Sequence, residues 1–204
     1  MWINCAHKKE VKEGTRMYVQ MGCPAQLSQP VISQLFRYRH DVFVKMLGWD
    51  LDTPHDIEID EFDHAETRYV IVKDEENEIV GCARLLPTTA PYLLESVFPE
   101  LLNGCEVPKS NEIWEISRFT NISPSSPKVK GSIGKNGQIN EVTFSKLLQH
   151  AIECAKDQGA KRLISVSPIG IERLLRKAGV KAYRAGPPKV INGHAILACW
   201  IDID

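Results

Sequence analysis

Among the many charged residues of the first 120, Arg39, Arg84 and Arg118 can be set against Asp60, Asp63 and Glu115, three charges of each sign. Proteins use such groups to grip charged ligands, because the planar fork of a guanidinium meets a carboxylate through two parallel hydrogen bonds. A set balanced in sign can close a pocket around a ligand that carries both signs of charge. A carboxylate in such a set, within hydrogen-bond reach of an amine, can also accept its proton. Arg39 and Phe43 are four apart, hence on one face of a helix that also carries Phe36, and a guanidinium there is costly to bury without a carboxylate. The acidic stretch that follows is the nearest supply. The same pattern also suits ordinary salt bridges that pin this stretch to a sheet, and Phe43 and Trp49, taken singly, suit core packing.

Periodicity indicates the elements that must hold these residues. Residues 16–22 alternate as a short strand, and Ser28 and Pro30 supply a cap and first-turn proline for a helix whose apolar residues Ile32, Leu35, Phe36, Val42 and Phe43 recur until Gly48. Residues 49–64 are acidic and aperiodic, with Pro54 forbidding regular structure, and read as a long loop. Residues 69–73 and 79–86 form a hairpin, and 112–119 a further strand. A Ser-, Pro-, Gly- and Lys-rich loop over 121–137 leads to an amphipathic helix over 139–156, a strand over 162–167, a short basic helix over 171–178 and a terminal strand over 194–203. Strands alternating with helices predict an α/β fold, a three-layer α/β/α sandwich on a mixed sheet. Residues 1–16 read as a polar extension and 17–204 as one domain. Glu115 and Arg118 are three apart, so in a regular strand they face opposite ways; sharing a site requires a bulge near Ile116 and Ser117.

A chain of 204 residues with 43% hydrophobic and 25% charged residues can bury one sizeable core. No apolar run approaches the ~20 residues that span a bilayer, and the N-terminus lacks the apolar core of a signal peptide, so a cytoplasmic protein without a membrane span is expected. The six cysteines are scattered with no C-x-x-C pair, and the histidines form no H-E-x-x-H pattern; reduced thiols and no metal are expected. Up to Thr120 there are 12 basic and 20 acidic residues, against 13 and 6 after it, so the halves carry −8 and +7. The basic half suits an acidic partner or is a solvated face that happens to differ in sign; it lacks the interleaved aromatics that would point to nucleic acid.

Arg39, Phe43, Trp49, Asp60, Asp63, Arg84, Glu115 and Arg118 stand in the order and spacing that resembles the acyl-homoserine-lactone synthases, the LuxI-type autoinducer synthase family. All eight signature positions match, and G-C-A-R-L-L-P-T-T-A-P-Y-L-L, W-E-I-S-R-F and R-A-G-P-P-K extend the likeness from about Met17 to the end. It departs at the N-terminal extension and at Asp204, where family members usually continue. The resemblance implies an N-acetyltransferase (GNAT)-like fold whose central sheet splays to admit an acyl thioester. It implies acylation of the amine of S-adenosyl-L-methionine, then lactone closure with release of methylthioadenosine, for quorum sensing. S-adenosyl-L-methionine is then a substrate, and no cofactor is expected.

The resemblance implies catalytic roles for Glu115, Arg118 and Arg84, with Glu115 as first choice for the base. Arg39, Phe43, Trp49, Asp60 and Asp63 would bind S-adenosyl-L-methionine, the aspartates at its ammonium and sulfonium end and the arginines at carboxylates. An acyl pocket would draw on Val142, Leu148, Ile152, Ser165 and Leu175, which equally suit a core, and Ser165 stands where members making 3-oxo products tend to carry threonine. The overall likeness leans towards medium, unsubstituted chains. Arg173, Arg176 and Lys177 form a basic cluster that would dock an acidic acyl carrier protein as donor. Two rivals stay open: a coenzyme A-dependent N-acetyltransferase, with Gly131, Gly134 and Gly137 in the phosphate-loop interval, and a non-catalytic small-molecule-binding module.

Overall fold

Strands that are apolar on both faces need cover on both faces. Tyr69, Val70, Ile71 and Val72 are consecutive and all buried, as are Ala83, Leu85 and Leu86. The computed structural model, which describes residues 16–124 and 141–203, shows the cover. Its strands are β1 (Tyr18–Gly22), β2 (Arg68–Lys73), β3 (Ile79–Pro87), β4 (Ile113–Thr120), β5 (Arg162–Pro168), β6 (Lys181–Arg184), β7 (Lys189–Ile191) and β8 (His194–Asp202). They form one sheet in the order β1-β2-β3-β4-β5-β8-β6, with β7 also paired to β8. The helices are α1 (Gln29–Arg39), α2 (Leu93–Val97), α3 (Glu141–Asp157) and α4 (Ile171–Lys177).

One face carries Val70, Val72, Ala83, Leu85, Trp114 and Leu163 against α3 and α4. On the other, Tyr69, Ile71 and Cys82 pack under α1, while Leu86, Ile164 and Ala198 pack under α2 and the 3₁₀ turn Pro99–Leu102. The expected three-layer sandwich on a mixed sheet is therefore present. Only β4 and β5 are parallel, and their pairing ends after Ile113↔Arg162, Trp114↔Leu163 and Glu115↔Ile164, so the two strands part beyond Glu115.

The helix expected to run from Pro30 to Gly48 changes character partway. It is α-helical to Arg39 and π-helical over His40–Met46, with Leu47 N–H bonding Val42 C=O and Trp49 N–H bonding Phe43 C=O. The wider turn holds the Phe43 carbonyl for Trp49, and Gly48 leaves the helix at φ +70°, a left-handed conformation that glycine adopts without steric cost. The pattern of residues 49–64 gave a loop, and it contains only a 3₁₀ turn over Pro54–Asp56. The short β6, β7 and α2 escaped the periodicity argument because three to five residues are too few to show a period. The glycines at 131, 134 and 137 and residues 1–15 lie outside the described residues.

The R-A-G-P-P-K segment locks onto the 3₁₀ turn at Gly186. A Cβ there would lie 2.5 Å from the Leu101 carbonyl oxygen and 3.0 Å from the Asn103 Cβ, and backbone cannot move aside as a flexible side chain can. Gly186→Ala is expected to destabilise the fold by about 1–3 kcal/mol, read as a lower urea midpoint with an unchanged slope.

Candidate active site

Glu58 occupies the place that the sequence argument gave to Glu115. Arg39, at the C-terminal end of α1 and 1% exposed, donates from Nε to Glu58 Oε2 and from both terminal nitrogens to Asp63, at 2.8 and 3.0 Å. Arg84 on β3 donates from Nη1 to Asp60 Oδ1 and lies 3.2 Å from Asp63 Oδ1. Arg118 on β4 donates to Glu58 Oε1 at 2.9 Å and to Asp60 Oδ2 at 2.7 Å. The result is a closed ring in which three arginines alternate with three carboxylates: Arg39, Asp63, Arg84, Asp60, Arg118, Glu58 and back to Arg39.

The loop is shaped to present its acids. Glu58 N–H bonds the Phe36 carbonyl, Asp60 N–H bonds Asp63 Oδ2, Phe62 N–H bonds Asp60 Oδ1, and the Tyr69 hydroxyl donates to Asp63 Oδ1 at 2.8 Å. Each arginine also lies over an aromatic ring: Arg39 over Phe36, Arg84 over Phe62, and Arg118 over both Phe43 and Trp49, with centroid distances of 5.3 to 5.8 Å. Phe43 and Trp49 pack together with centroids 4.7 Å apart, Phe43 buried and Trp49 half-buried.

Arg118 reaches the ring through the irregularity that the Glu115–Arg118 spacing required. It lies at Arg118 itself, one residue beyond the expected place, with φ +49° inside β4 and a register shift opposite Cys82 and Arg84. A non-glycine residue in this conformation is strained, and the Cys82 thiol, 3.3 Å from the Arg118 carbonyl, supports it. Burial pushes that thiol up to about 12, so Cys82 stays protonated and serves packing.

Glu115 stands beside the ring and outside it. It is fully buried; Oε2 accepts the Leu94 N–H at 2.6 Å, and Oε1 has no partner among the described residues. Burial pushes its pKa up to about 7, against the pull of the Leu94 N–H and the Arg84 guanidinium. Arg84 mirrors it, with Nη2 buried and without a partner among the described residues. Ser117 accepts Arg84 Nε at 3.0 Å.

The residues considered for an acyl pocket lie on the opposite face of the sheet. Leu148 and Leu175 are buried in the core under α3 and α4, Ile152 packs against it half-buried, and Ser165 is buried on β5. Val142 departs from that expectation: it is 67% exposed, since in the first turn of α3 its side chain points away from the sheet. On α4, Arg173 and Arg176 are exposed, but Lys177 is paired with Glu141. Nearby, Arg184 is paired with Glu172 and Lys181 with Asp202, so the basic cluster is partly neutralised from within. No helix among the described residues is long and apolar enough to cross a membrane.

A buried carboxylate that loses its charge leaves two guanidinium groups short of a partner. Burial works against ionisation of Glu58, but Arg39 and Arg118 outweigh it and bring its pKa down to about 2; Asp63 is lowered likewise. Because these pKa values are depressed on folding, the stability they contribute is fully present above the ordinary carboxylate range and is lost as pH falls through about 2. For Glu58 this is roughly 3 kcal/mol. Urea midpoints measured between pH 5 and pH 2.5 are expected to drop steeply for the native sequence. In Glu58→Gln they should start lower and fall less.

The autoinducer synthase family profile matches residues 25–204. An acyl-homoserine-lactone synthase from Acinetobacter nosocomialis is 47% identical over 187 residues, covering 92% of this chain and 100% of the relative. The crystal structure of TofI in a ternary complex with an inhibitor and MTA superposes with a TM-score of 0.76 at 40% identity, covering 93% of this chain and 92% of TofI. BjaI, a CoA-dependent acyl-homoserine lactone synthase solved with SAM and isopentyl-CoA, gives a TM-score of 0.77 at 26% identity, covering 94% and 84%. With a match spanning most of its length and its eight signature residues gathered at one site, this chain belongs to the autoinducer synthase family.

Proposed function

We propose that the protein is an acyl-homoserine-lactone synthase that acylates the α-amine of S-adenosyl-L-methionine from an acyl thioester and then closes the lactone, releasing methylthioadenosine. One observation carries the assignment of the reacting end: in a site where Arg39 and Arg118 are engaged by carboxylates, Arg84 Nη2 and Glu115 Oε1 are both buried and without a partner among the described residues. Buried polar groups left without partners in a folded protein call for an explanation, and a ligand bearing a carboxylate and an amine satisfies both. The carboxylate goes to Arg84 and the amine to Glu115.

Glu115 takes the proton of the ammonium, freeing the nitrogen lone pair to attack the thioester carbonyl. The acyl carbon–sulfur bond breaks and the thiol leaves with a proton. A base with a pKa of about 7 can both accept that proton near neutral pH and release it afterwards. In the second step a carboxylate oxygen attacks the γ-carbon, whose bond to the sulfonium sulfur breaks. The sulfonium is already a good leaving group, so the protein has only to hold the carboxylate in line. Asp63 accepts Arg39, Tyr69 and the Asp60 N–H and lies against Arg84, so its work is to position arginines. That differs from direct contact with the substrate cation. Asp60, more open to solvent, and the Phe43–Trp49 pair are better placed to receive the sulfonium end.

The acyl chain crosses to the apolar face where β4 and β5 part, towards Leu148, Ile152, Ser165 and Leu175. For the donor, the exposed Arg173 and Arg176 favour an acidic carrier protein over coenzyme A, since an extended surface can use both charges.

Glu115→Gln keeps the shape of the side chain and removes the proton acceptor. It is expected to bind S-adenosyl-L-methionine normally in calorimetry and to lose at least about 100-fold in acylation rate. Unchanged turnover would remove Glu115 as the base. Reversing both Arg173 and Arg176 to Glu should raise KM for acyl carrier protein about tenfold or more and leave KM for acyl coenzyme A nearly unchanged. Added salt should act on the native enzyme in the same direction. Equal losses with both donors would return the α4 charges to a solvated face.

A further inference from the structure

We infer that the Tyr69 hydroxyl is a positioning group for S-adenosyl-L-methionine: by occupying the Asp63 oxygen that faces Arg84, it leaves Arg84 Nη2 free for the substrate carboxylate. The inference rests on the reading of Arg84 as the carboxylate site, and the closing experiment separates the two. Tyr69 stands opposite Arg84 in the β2–β3 register, and Arg84 stands opposite Ser117 in the β3–β4 register. Paired residues share a face of the sheet, so the three side chains form one row with the guanidinium in the middle. Tyr69 is 1% exposed, and its ring meets that of Phe36 edge-on with centroids 6.2 Å apart, which fixes the phenol where it donates to Asp63 Oδ1 at 2.8 Å.

The side chain of Asp63 is fully buried, and an ionised carboxylate offers about four lone pairs. Arg39 Nη1 and the Tyr69 hydroxyl take Oδ1; Arg39 Nη2 and the Asp60 N–H take Oδ2. Arg84 Nη1 lies 3.2 Å from Oδ1, close enough to feel its charge, and donates instead to Asp60 Oδ1. Ser117 accepts Arg84 Nε at 3.0 Å, and Nη2 is left without a partner among the described residues. Removing the tyrosine hydroxyl opens a lone pair on Oδ1 directly beside Arg84. A guanidinium and a carboxylate with capacity to spare close through two parallel hydrogen bonds, so Arg84 then turns onto Asp63 and loses the donor that the ligand needs.

The test measures by calorimetry how Tyr69→Phe and the native protein bind S-adenosyl-L-methionine and its decarboxylated form, which keeps the amine, the sulfonium and the adenosine. Loss of the hydroxyl should weaken S-adenosyl-L-methionine about tenfold and leave the decarboxylated ligand within about twofold of native, since only the carboxylate uses Arg84 Nη2. KM for the acyl donor should stay near its native value. A tyrosine that serves the fold alone predicts equal losses for the two ligands; that result, like an unchanged affinity for both, overturns the inference. Tyr69→Met removes the same hydroxyl, fills the space with a flexible apolar chain, and is read in the same way if the phenylalanine variant folds poorly. The native protein by itself tests the reading beneath: if it binds the two ligands equally well, Arg84 is not the carboxylate site and the inference falls with it.

Discussion

The site depends on six charges, all buried except the partly exposed Asp60, that no single segment could keep. Arg39 comes from the end of α1, Arg84 and Arg118 from adjacent strands, and Glu58, Asp60 and Asp63 from one loop. Isolated, each would cost several kcal/mol to bury; arranged in alternation, each arginine meets two carboxylates and each carboxylate two arginines. Such a ring is cooperative, because removing one member exposes two neighbours to the full desolvation penalty. Its value need not be net stability: an apolar cluster of equal volume could hold the loop as well. What the ring supplies is a rigid polar wall whose remaining hydrogen-bonding capacity is confined to a few atoms.

That confinement gives the site its chemistry. With Arg39 and Arg118 absorbed by acids, the unpartnered donor on Arg84 and the unpartnered acceptor on Glu115 stand out. Exclusion of Glu115 from the ring is equally consequential. A carboxylate inside it is held ionised well below neutrality, as Glu58 is, and makes a poor base. Outside it, burial dominates and lifts Glu115 to about 7. Two glutamates in one buried site thus have opposite proton affinities because one touches two guanidinium groups and the other mostly backbone and apolar atoms.

The sheet places ionic and apolar functions on opposite faces. The ring lies under α1 and its π-helical extension, and the apolar helices α3 and α4 cover the other side. The strained turn at Arg118 and the parting of β4 from β5 occur within a few residues of Glu115, so the irregularity that turns Arg118 into the site begins where the two faces can communicate.

Much of this was legible in the residues themselves. The helix, the hairpin and the long strands follow from local periodicity, the eight signature positions from the resemblance to a known family, and the need for a break between Glu115 and Arg118 from strand geometry alone. Glu58 carries a signal too: it stands two residues before Asp60 in E-I-D-E-F-D, in a loop already noted for its acidity. Charge counting nevertheless could not choose between Glu58 and Glu115 as the third acid. Nor could it show that Val142 points outward, that Asp63 is occupied by arginines, or that the α4 cations are partly paired. Each of these depends on register and burial between residues far apart in the chain, and sequence spacing does not encode such distances. Sequence by itself determined which charges and elements are available; only the tertiary structure decided which charges meet, because pairing in a buried site is set by where the sheet and the loop bring them together.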